Sequence, residues 1–461
     1  MAHPALSRYK AAMTAHIAII GAGLAGCECA MALARRHIAV TLFEMKPQRF
    51  SPAHTSEGLA ELVCSNSLRS DQPDAAVGVL KQEMRDLGSL VLEAAEATRL
   101  PAGKALAVDR EAFSRFVTQA IEADQYITLD RREILAVDAE ELAEFDGVVV
   151  AAGPLASEAL SESLGQAMGG EHLYFYDAIA PIITAESIDL DICFRASRYD
   201  KGEDEAGDYL NCPMDQAQYL AFRQALLDAE KVPSRDFEKE VHFEGCMPIE
   251  TLAERGEETL AFGPFKPVGL TDPRTGERPF AVVQLRVENQ AGTAYNLVGC
   301  QTKLKYGEQE RVFRLIPGLE NAQFERLGSV HRNTFVNAPR VLKDLEISAR
   351  PGVYLAGQIT GVEGYVESAA CGLWLGLALG AKLAKEPLAP PPPESVLGGL
   401  LNHLAVEVKN FQPSNANFGL TPALGKRAKK RDRKRLFAER AREAFMRWLG
   451  SAEIPGKKIT S

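Results

Sequence analysis

The chain of 461 residues has a formal net charge of −10 and is 46% hydrophobic, which is enough for sizeable cores in two or three domains. The negative charge excludes a surface that attracts polyanions everywhere. No run of 18 or more uncharged apolar residues occurs, and residues 1–16 lack the apolar stretch of a signal peptide. We therefore expect a cytoplasmic protein that does not enter a membrane.

The first predicted strand, residues 17–20, runs directly into a glycine motif. The motif consists of Gly21, Ala22, Gly23, Leu24, Ala25 and Gly26. Gly21 allows a tight turn, Gly23 lets the backbone approach a pyrophosphate, and Gly26 lets the following helix pack closely on the strand. This pattern is typical of a site for an adenine dinucleotide.

A second apolar run, residues 37–43, ends at Glu44, whose carboxylate can accept a hydrogen bond from a ribose hydroxyl. The strand, the three glycines and this acid together predict a bound dinucleotide. The alternative is a glycine-rich turn without a ligand, which requires all of these features to coincide by chance.

Alternating helices and strands continue to about residue 182, with helical patterns at 77–97 and 110–121 and a buried strand at 145–152. Residues 183–334 mix aromatic strands with proline-glycine turns, which predicts an inserted α+β domain. Its strands are expected at 209–212, 241–245, 280–285 and 295–300.

The dinucleotide fold resumes in residues 335–386, with a strand pattern at 351–358 and a helix of small residues at 368–383. The connecting segment contains Gly357, Gln358, Gly361 and Gly364. In two-part FAD folds such a segment brings backbone amides and a helix N-terminus to the cofactor, whereas a simple NAD domain completes its site within one half. We therefore predict an α/β protein with a discontinuous, Rossmann-like FAD-binding domain formed by residues 14–182 and 335–386.

The C-terminal segment, residues 387–461, begins with a proline linker and is predicted to end in a basic helical tail. Residues 426–435 carry eight Lys or Arg against one Asp, a local balance of +7, and lead into an amphipathic stretch at 436–449. Such a run is either a solvated helix face or a surface that contacts nucleic acid phosphates.

Eight cysteines are scattered along the chain, with no Cys-x-x-Cys pair and no histidine at ligand spacing, so we expect neither a bound metal nor a disulfide framework. Two of them have polar surroundings. Cys64 lies among hydroxyl and amide side chains, and Arg69, five residues on, can stabilise a thiolate if the two side chains converge. Cys246 lies in a turn between Gly245 and Pro248 that would expose it. For each, an inert packed thiol is the alternative.

A series of long peptides matches one known family over residues 14–420. They are IIGAGLAG (19–26), AELVCSNSLR (60–69), LPAGKALAVDR (100–110), LYFYDA (173–178), SRYDKG (197–202), YLNCPM (209–214), FEGCMPIE (243–250), FGPFKPVGL (262–270), HRNTF (331–335), GQITGVEGYVES (357–368) and FQPSNANFG (411–419). On these peptides the chain resembles the bacterial folate- and FAD-dependent RNA uridine C5-methyltransferases, the TrmFO family. It departs at its N-terminal extension, at Cys371, where serine is expected, and in its basic C-terminus.

The resemblance implies the formation of 5-methyluridine. This reaction needs a nucleophile that adds to C6 of uracil, transfer of a one-carbon unit to C5, loss of the C5 proton and a reduction. The resemblance assigns the first and third tasks to Cys64 and Cys246, and we favour Cys64 as the nucleophile. It implies that 5,10-methylenetetrahydrofolate provides the methylene group, while FAD, reduced by NADPH or NADH, carries that group and supplies the electrons.

The resemblance also indicates substrate-binding residues. His331 and Tyr365 are candidates for stacking on the pterin, with ordinary packing as the alternative. A flipped uridine of an RNA loop requires phosphate-binding cations around the site. The candidates are Arg69, Arg198, Lys266, Arg286 and Lys303, with solvated surface as the alternative. The T-loop uridine of tRNA is the expected target, and ribosomal RNA stays open.

Two other functions remain as alternatives. The related flavoprotein that modifies the wobble uridine of tRNA shares the early glycine motif and a late Gly-Gln-x-x-Gly segment, but it lacks the peptides around Cys64 and Cys246. A flavin-binding, RNA-associated protein without methyl transfer is the second alternative. An assay for 5-methyluridine with folate separates all three functions.

Overall fold

The structure, a computed structural model, describes residues 15–169, 173–198, 207–232, 247–386, 388–409, 411–425, 429 and 431–454. For residues 173–177 and 331–332 it describes the backbone alone.

The strands are β1 (His16–Ile20), β2 (Ala39–Phe43), β3 (Ser67–Ser70), β4 (Arg99–Leu100), β5 (Ala105–Val108), β6 (Ile127–Asp130), β7 (Gly147–Val150), β8 (Leu173–Ala178), β9 (Ile182–Thr184), β10 (Phe194–Ala196), β11 (Tyr209–Met214), β12 (Ala281–Val287), β13 (Ala294–Leu297), β14 (Phe324–Arg326), β15 (Val330–Phe335), β16 (Leu342–Lys343), β17 (Glu346–Ile347) and β18 (Val353–Leu355).

The α-helices are α1 (Leu24–Ala34), α2 (Ala76–Asp86), α3 (Leu90–Ala97), α4 (Arg110–Glu122), α5 (Glu158–Ala167), α6 (Gln216–Asp228), α7 (Ile249–Glu254), α8 (Thr259–Phe262), α9 (Tyr306–Phe313), α10 (Ala338–Val341), α11 (Tyr365–Leu383), α12 (Val396–Ala405) and α13 (Arg433–Ser451).

A seven-stranded sheet in the order β16-β17-β18-β7-β1-β2-β6 forms the centre of the first domain. The five strands from β18 to β6 run parallel, and β17 and β16 add an antiparallel edge. Because the carboxyl ends of parallel strands lie at one edge of a sheet, Gly21, Glu44, Ala151 and Ala356 all follow strands at the same edge. Segments that are 335 residues apart in sequence, from Gly21 to Ala356, are thereby brought together.

Helices α1 and α11 cross beside this sheet at close range. A Cβ atom at Gly372 would collide with the carbonyl oxygen of Ala25, and one at Gly376 would lie 2.7 Å from Cβ of Ala32, so these glycines allow the close packing. Helix α11 has the length and apolar composition of a membrane span, but 78% of its most apolar stretch is buried inside this fold. Its apolar character is therefore explained by burial in the core.

A six-stranded antiparallel sheet, in the order β10-β11-β12-β13-β9-β14, forms a second centre with its own hydrophobic core. Strands β8 and β15 form a separate antiparallel pair. In sequence, β8 precedes the strands of the six-stranded sheet and β15 follows them. The fold class is confirmed: an insert of mixed composition interrupts a dinucleotide-binding α/β domain. The predicted boundaries at 182/183 and 334/335 fall inside β9 and β15, and the domain limits remain a proposal.

The C-terminal helices pack on the first domain. Ala441, Phe445 and Leu449 of α13 belong to the same hydrophobic core as the central sheet. The buried Glu83 of α2 accepts hydrogen bonds from the amides of Val396 and Leu397 at 3.0 and 2.7 Å and so caps α12.

The helical pattern predicted at residues 77–97 is confirmed as two helices, α2 and α3, separated by residues 87–89. Gly88 adopts a φ of +79° after α2, and the hydroxyl of Ser89 accepts a hydrogen bond from the amide of Leu92 to begin α3. The strand expected at 241–245 lies outside the described residues. The strands expected around 209–212, 280–285 and 295–300 correspond to β11, β12 and β13, with ends shifted by up to three residues.

Candidate active site

A cavity of about 510 Å³ opens at the carboxyl edge of the parallel strands. Its wall combines the early glycine loop, Glu44, the segment around Cys64, the loop after β7, and the late segment that begins α11. Arg286 and Gln301 reach it from the inserted domain. The cavity is therefore shared by all the segments that the sequence links to the cofactor.

The glycine loop has the geometry that a pyrophosphate requires. Gly21 adopts a φ of +101°, and a Cβ there would lie 2.6 Å from Cα of Ala152. A Cβ on Gly26 would collide with the carbonyl oxygen of Gly21, so Gly26 lies behind the cavity and allows α1 to approach β1. Gly23 lines the cavity and a Cβ there would meet no atom within 4 Å, so the space next to its backbone is open for a ligand.

Glu44 is buried, and both oxygens of its carboxylate are positioned by the backbone. Oε2 accepts a hydrogen bond from the amide of Ala22 and Oε1 accepts one from the amide of Lys46, both at 3.0 Å. Each oxygen keeps a further lone pair that can accept a hydrogen bond from a ribose hydroxyl at the cavity wall.

The late segment turns sharply at three glycines with positive φ, namely Gly357 (+82°), Gly361 (+96°) and Gly364 (+112°). Gly357, Gln358 and Gly364 line the cavity. Gln358 is oriented by a hydrogen bond from its Nε2 to Glu363 Oε2 at 2.9 Å. Helix α11 starts at the cavity wall, and the first amides of a helix have no partner within it, so they can donate hydrogen bonds to a ligand in the cavity.

Cys64 and Tyr365 form a thiol–phenol pair in the same wall. The Sγ of Cys64 lies 2.9 Å from Oη of Tyr365, and the amide of Cys64 donates to this oxygen at 2.7 Å. Burial, and then the neighbouring Cys64, raise the pKa of the Tyr365 hydroxyl well above its ordinary value. Tyr365 therefore keeps its proton at neutral pH and can donate it towards the sulfur.

Arg286 joins the inserted domain to the loop that carries Cys64. Its Nε donates to Oδ1 of Asn66 at 2.7 Å and its Nη2 donates to Oγ of Ser65 at 2.8 Å. Burial lowers the pKa of this guanidinium, which is nonetheless charged at neutral pH. Nearby, Arg110 pairs with the buried Glu288 at 2.6 Å across the same boundary. Arg286 thus both lines the cavity and fixes the residues next to Cys64.

Arg69 lines the cavity in an unusual backbone conformation, with a φ of +63°. Its Nη1 donates to Oε1 of the buried Glu367 at 2.9 Å. The ammonium of Lys81, which is fully buried, donates to the carbonyl oxygens of Leu68 and Arg69 at 3.1 and 3.2 Å. These contacts hold Arg69 in place, and its side chain is directed to Glu367, with no hydrogen bond to Cys64 among the described contacts.

Three of the predicted substrate-binding cations are not brought together with these residues. Arg198, Lys266 and Lys303 lie in the inserted domain outside the cavity wall, where Arg198 donates to the carbonyl oxygen of Pro264 at 3.1 Å. Only the backbone of His331 is described, paired with Asp177 between β15 and β8. Cys246 lies outside the described residues.

Sequence reasoning missed several polar residues of the cavity wall, including Lys46, His54 and Asn333. Asn333 follows the matched histidine by two positions in the HRNTF peptide, which was the available signal. Among the described residues, no group of three or more His, Cys, Asp or Glu has the geometry of a metal site.

Comparison with known proteins decides the family. The family model described as "Glucose inhibited division protein A" matches residues 16–387. The chain is 68% identical over 438 residues to the methylenetetrahydrofolate–tRNA-(uracil-5-)-methyltransferase TrmFO of Nitratidesulfovibrio vulgaris strain DP4, which covers 95% of this chain and 90% of the relative. It is 56% identical over 441 residues to the TrmFO of Geobacter sulfurreducens, with 95% and 100% covered. The chain belongs to the TrmFO family.

A solved structure of GidA from Aquifex aeolicus superposes with a TM-score of 0.66 at 17% identity, covering 95% of this chain and 74% of that one. At this identity the likeness shows the fold alone. It nevertheless confirms the predicted fold class, and the TrmFO relatives confirm the resemblance drawn from the sequence.

Proposed function

We propose that this TrmFO-family protein methylates C5 of a uridine in tRNA, with 5,10-methylenetetrahydrofolate as the one-carbon donor and FAD as the cofactor. The support from relatives is an identity of 68% over 95% of the chain with a protein named for this activity. The observation that carries the proposal in the structure is the thiol–phenol pair, with Cys64 and Tyr365 2.9 Å apart in the wall of a dinucleotide cavity.

The cavity wall fits FAD. Gly23 leaves the space that a pyrophosphate needs, and Glu44 presents hydrogen-bond acceptors for a ribose. Gly364 precedes a helix whose first amides can donate hydrogen bonds to polar atoms at the edge of the flavin ring. When bound, FAD provides the electrons and the carrier function that convert the methylene group of the folate to a methyl group. We infer that NADPH or NADH reduces it. Since no second Gly-x-Gly-x-x-Gly motif offers a separate nucleotide fold, the reductant is proposed to bind at the flavin itself.

The surroundings of Cys64 favour a thiolate. The Oη of Tyr365 accepts hydrogen bonds from the amides of Cys64 and Ser65, at 2.7 and 3.4 Å, so its own proton can be donated to the sulfur of Cys64. A hydrogen bond from a neutral phenol stabilises a thiolate, which can add to C6 of uracil or remove the proton from C5. Cys246 is proposed for the task that Cys64 does not perform.

The substrate side of the cavity is proposed to be formed by Arg69, Arg286 and the strand that contains His331. Arg286 positions Ser65 and Asn66, and Arg69 provides a partly exposed cation at the cavity wall. We propose the T-loop uridine of tRNA as the target and the cytoplasm, where tRNA is found, as the location.

The test is an in vitro methylation assay on unmodified tRNA, with nucleosides separated by liquid chromatography and identified by mass spectrometry. We expect 5-methyluridine when methylenetetrahydrofolate and NADPH or NADH are present, and none with S-adenosylmethionine alone. Product at a wobble uridine that is not 5-methyluridine would favour the alternative function in wobble-uridine modification. Methylation of ribosomal RNA in place of tRNA would overturn the proposed substrate.

A further inference from the structure

The basic residues around the start of α13 are not part of the cavity wall. Residues 426–435 carry a net charge of +7 in a chain whose total is −10. Five of the cations lie in the described part of the chain, and all five are exposed: Lys429, Arg431, Arg433, Lys434 and Arg435. We name these five residues the basic segment.

Helix α13 is fixed to the protein by its other face. Phe445 and Leu449 are buried, the indole of Trp448 donates to the carbonyl oxygen of Ala389 at 2.9 Å, and Arg442 lies 3.6 Å from the buried Asp86. The helix therefore presents the basic segment at a defined place.

Three cations of the basic segment, Lys429 and two on α13, have no charged partner among the described residues. Arg435 is paired with Glu439 at 2.6 Å, and Arg431 lies 3.7 Å from Asp432. For Arg433 and Lys434, no ion pair with another described residue is present. These two side chains are available to an external anion.

A short loop connects the basic segment with the cavity. Asn415 lines the cavity, and the amide of Ala416 donates to Glu367 Oε1 at 2.7 Å, the same oxygen that binds Arg69. Three residues after Asn415, the ring of Phe418 stacks on Phe437 of α13 with centroids 5.3 Å apart. The start of α13 is thereby held on the side of the cavity where Arg69 lies.

We propose that the basic segment binds the phosphate backbone of the tRNA outside the cavity, which rests on the function proposed above. A protein with an acidic surface repels RNA except where cations are concentrated, so a cluster attached to the rim of the site selects where the backbone lies. The contacts are with phosphates and carry no base specificity. They hold the tRNA while one loop uridine enters the cavity.

The test compares the variant Arg433→Gln/Lys434→Gln with the matched control Lys343→Gln/Lys385→Gln. The control removes the same number of exposed positive charges at the edge strand β16 and just after the C-terminal end of α11. Since α11 has 19 residues, Lys385 lies about 28 Å along the helix axis from Tyr365, away from the cavity. The assays are tRNA binding by fluorescence anisotropy and methylation kinetics, both at several salt concentrations.

We expect the α13 variant to bind tRNA roughly 3- to 10-fold more weakly, with a slope of log Kd against log salt that is smaller by about one to two units. Its KM for tRNA should rise while kcat and flavin content stay at wild-type values.

Equal Kd values and salt slopes for wild type and both variants would overturn the inference, as would an effect of the control as large as that of the α13 variant. If the wild type binds tRNA through the basic segment but forms no 5-methyluridine, the proposed function fails and this inference stands. Binding of the segment to anionic lipid vesicles with no change in tRNA affinity would assign it to a membrane surface.

Discussion

Substitution of Gly23 tests cofactor binding independently of folding. Its φ of −76° is allowed for alanine, and a Cβ there would have no neighbour within 4 Å. Gly23→Ala should therefore change the free energy of unfolding by no more than about 1 kcal/mol, the scale of an N-cap change offset by the reduced entropy of the unfolded chain. The same Cβ projects into space that the cofactor pyrophosphate is proposed to occupy, so we expect the Kd for FAD to rise at least ~100-fold, about 2.7 kcal/mol.

Two matched glycines frame this result. In Gly26→Ala the new Cβ would collide with backbone, so that variant should lose roughly 3 kcal/mol of stability or fail to fold. Gly307 in α9 also has no neighbour within 4 Å, and Gly307→Ala should keep both stability and flavin. Flavin absorbance after gel filtration measures retention, and thermal unfolding measures stability. A Gly23→Ala protein that is folded and binds FAD with wild-type affinity would refute the assignment of this loop to the pyrophosphate.

Three further predictions concern the thiols, the phenol and the buried lysine. Cys64→Ala and Cys246→Ala should each reduce the methylation rate roughly 100-fold or more and retain FAD. Near wild-type rates in both variants would show that these cysteines are packing residues. Mass spectrometry of the covalent adduct with 5-fluorouridine RNA identifies which cysteine adds to C6. Tyr365→Phe should slow thiol alkylation of Cys64 at pH 7 by removing the hydrogen bond at 2.9 Å, and an unchanged alkylation rate would contradict the thiolate assignment. Burial lowers the pKa of Lys81 from 10.5 to about 8, so the unfolded chain binds more protons between these values, and the unfolding free energy contributed by Lys81 rises with pH across that window by about 3 kcal/mol. In Lys81→Met this rise should be absent from denaturant titrations at pH 8 and 10, whereas an identical pH dependence in both proteins would show that Lys81 does not titrate there.

The parts of the site that depend on local sequence were predictable. The glycine loop and Glu44 follow from a strand, a turn and a second strand that are close in sequence, and their geometry is fixed by neighbouring backbone. The split between α2 and α3 was missed because apolar periodicity continues across Gly88, and the turn depends on that single residue.

Contacts between distant segments were not predictable from patterns. Cys64 and Tyr365 are 301 positions apart, and their hydrogen bond exists because α11 begins at the cavity edge. Arg286 reaches Asn66 across 220 positions because the end of β12 in the inserted domain lies beside the loop that carries Asn66. The predicted substrate-binding cations Arg198, Lys266 and Lys303 were chosen by residue type, which does not show on which side of the inserted domain a side chain lies.

The origin of the transferred carbon tests folate-dependent methylation most directly. The purified protein is incubated with unmodified tRNA, a nicotinamide reductant and methylenetetrahydrofolate that carries deuterium on its methylene carbon, and the 5-methyluridine is isolated for mass spectrometry. A methyl group that contains both deuterium atoms is predicted, because the folate carbon is transferred to C5 with its hydrogens and then reduced. Unlabelled 5-methyluridine, or product formed only from S-adenosylmethionine, would contradict transfer of the carbon from methylenetetrahydrofolate.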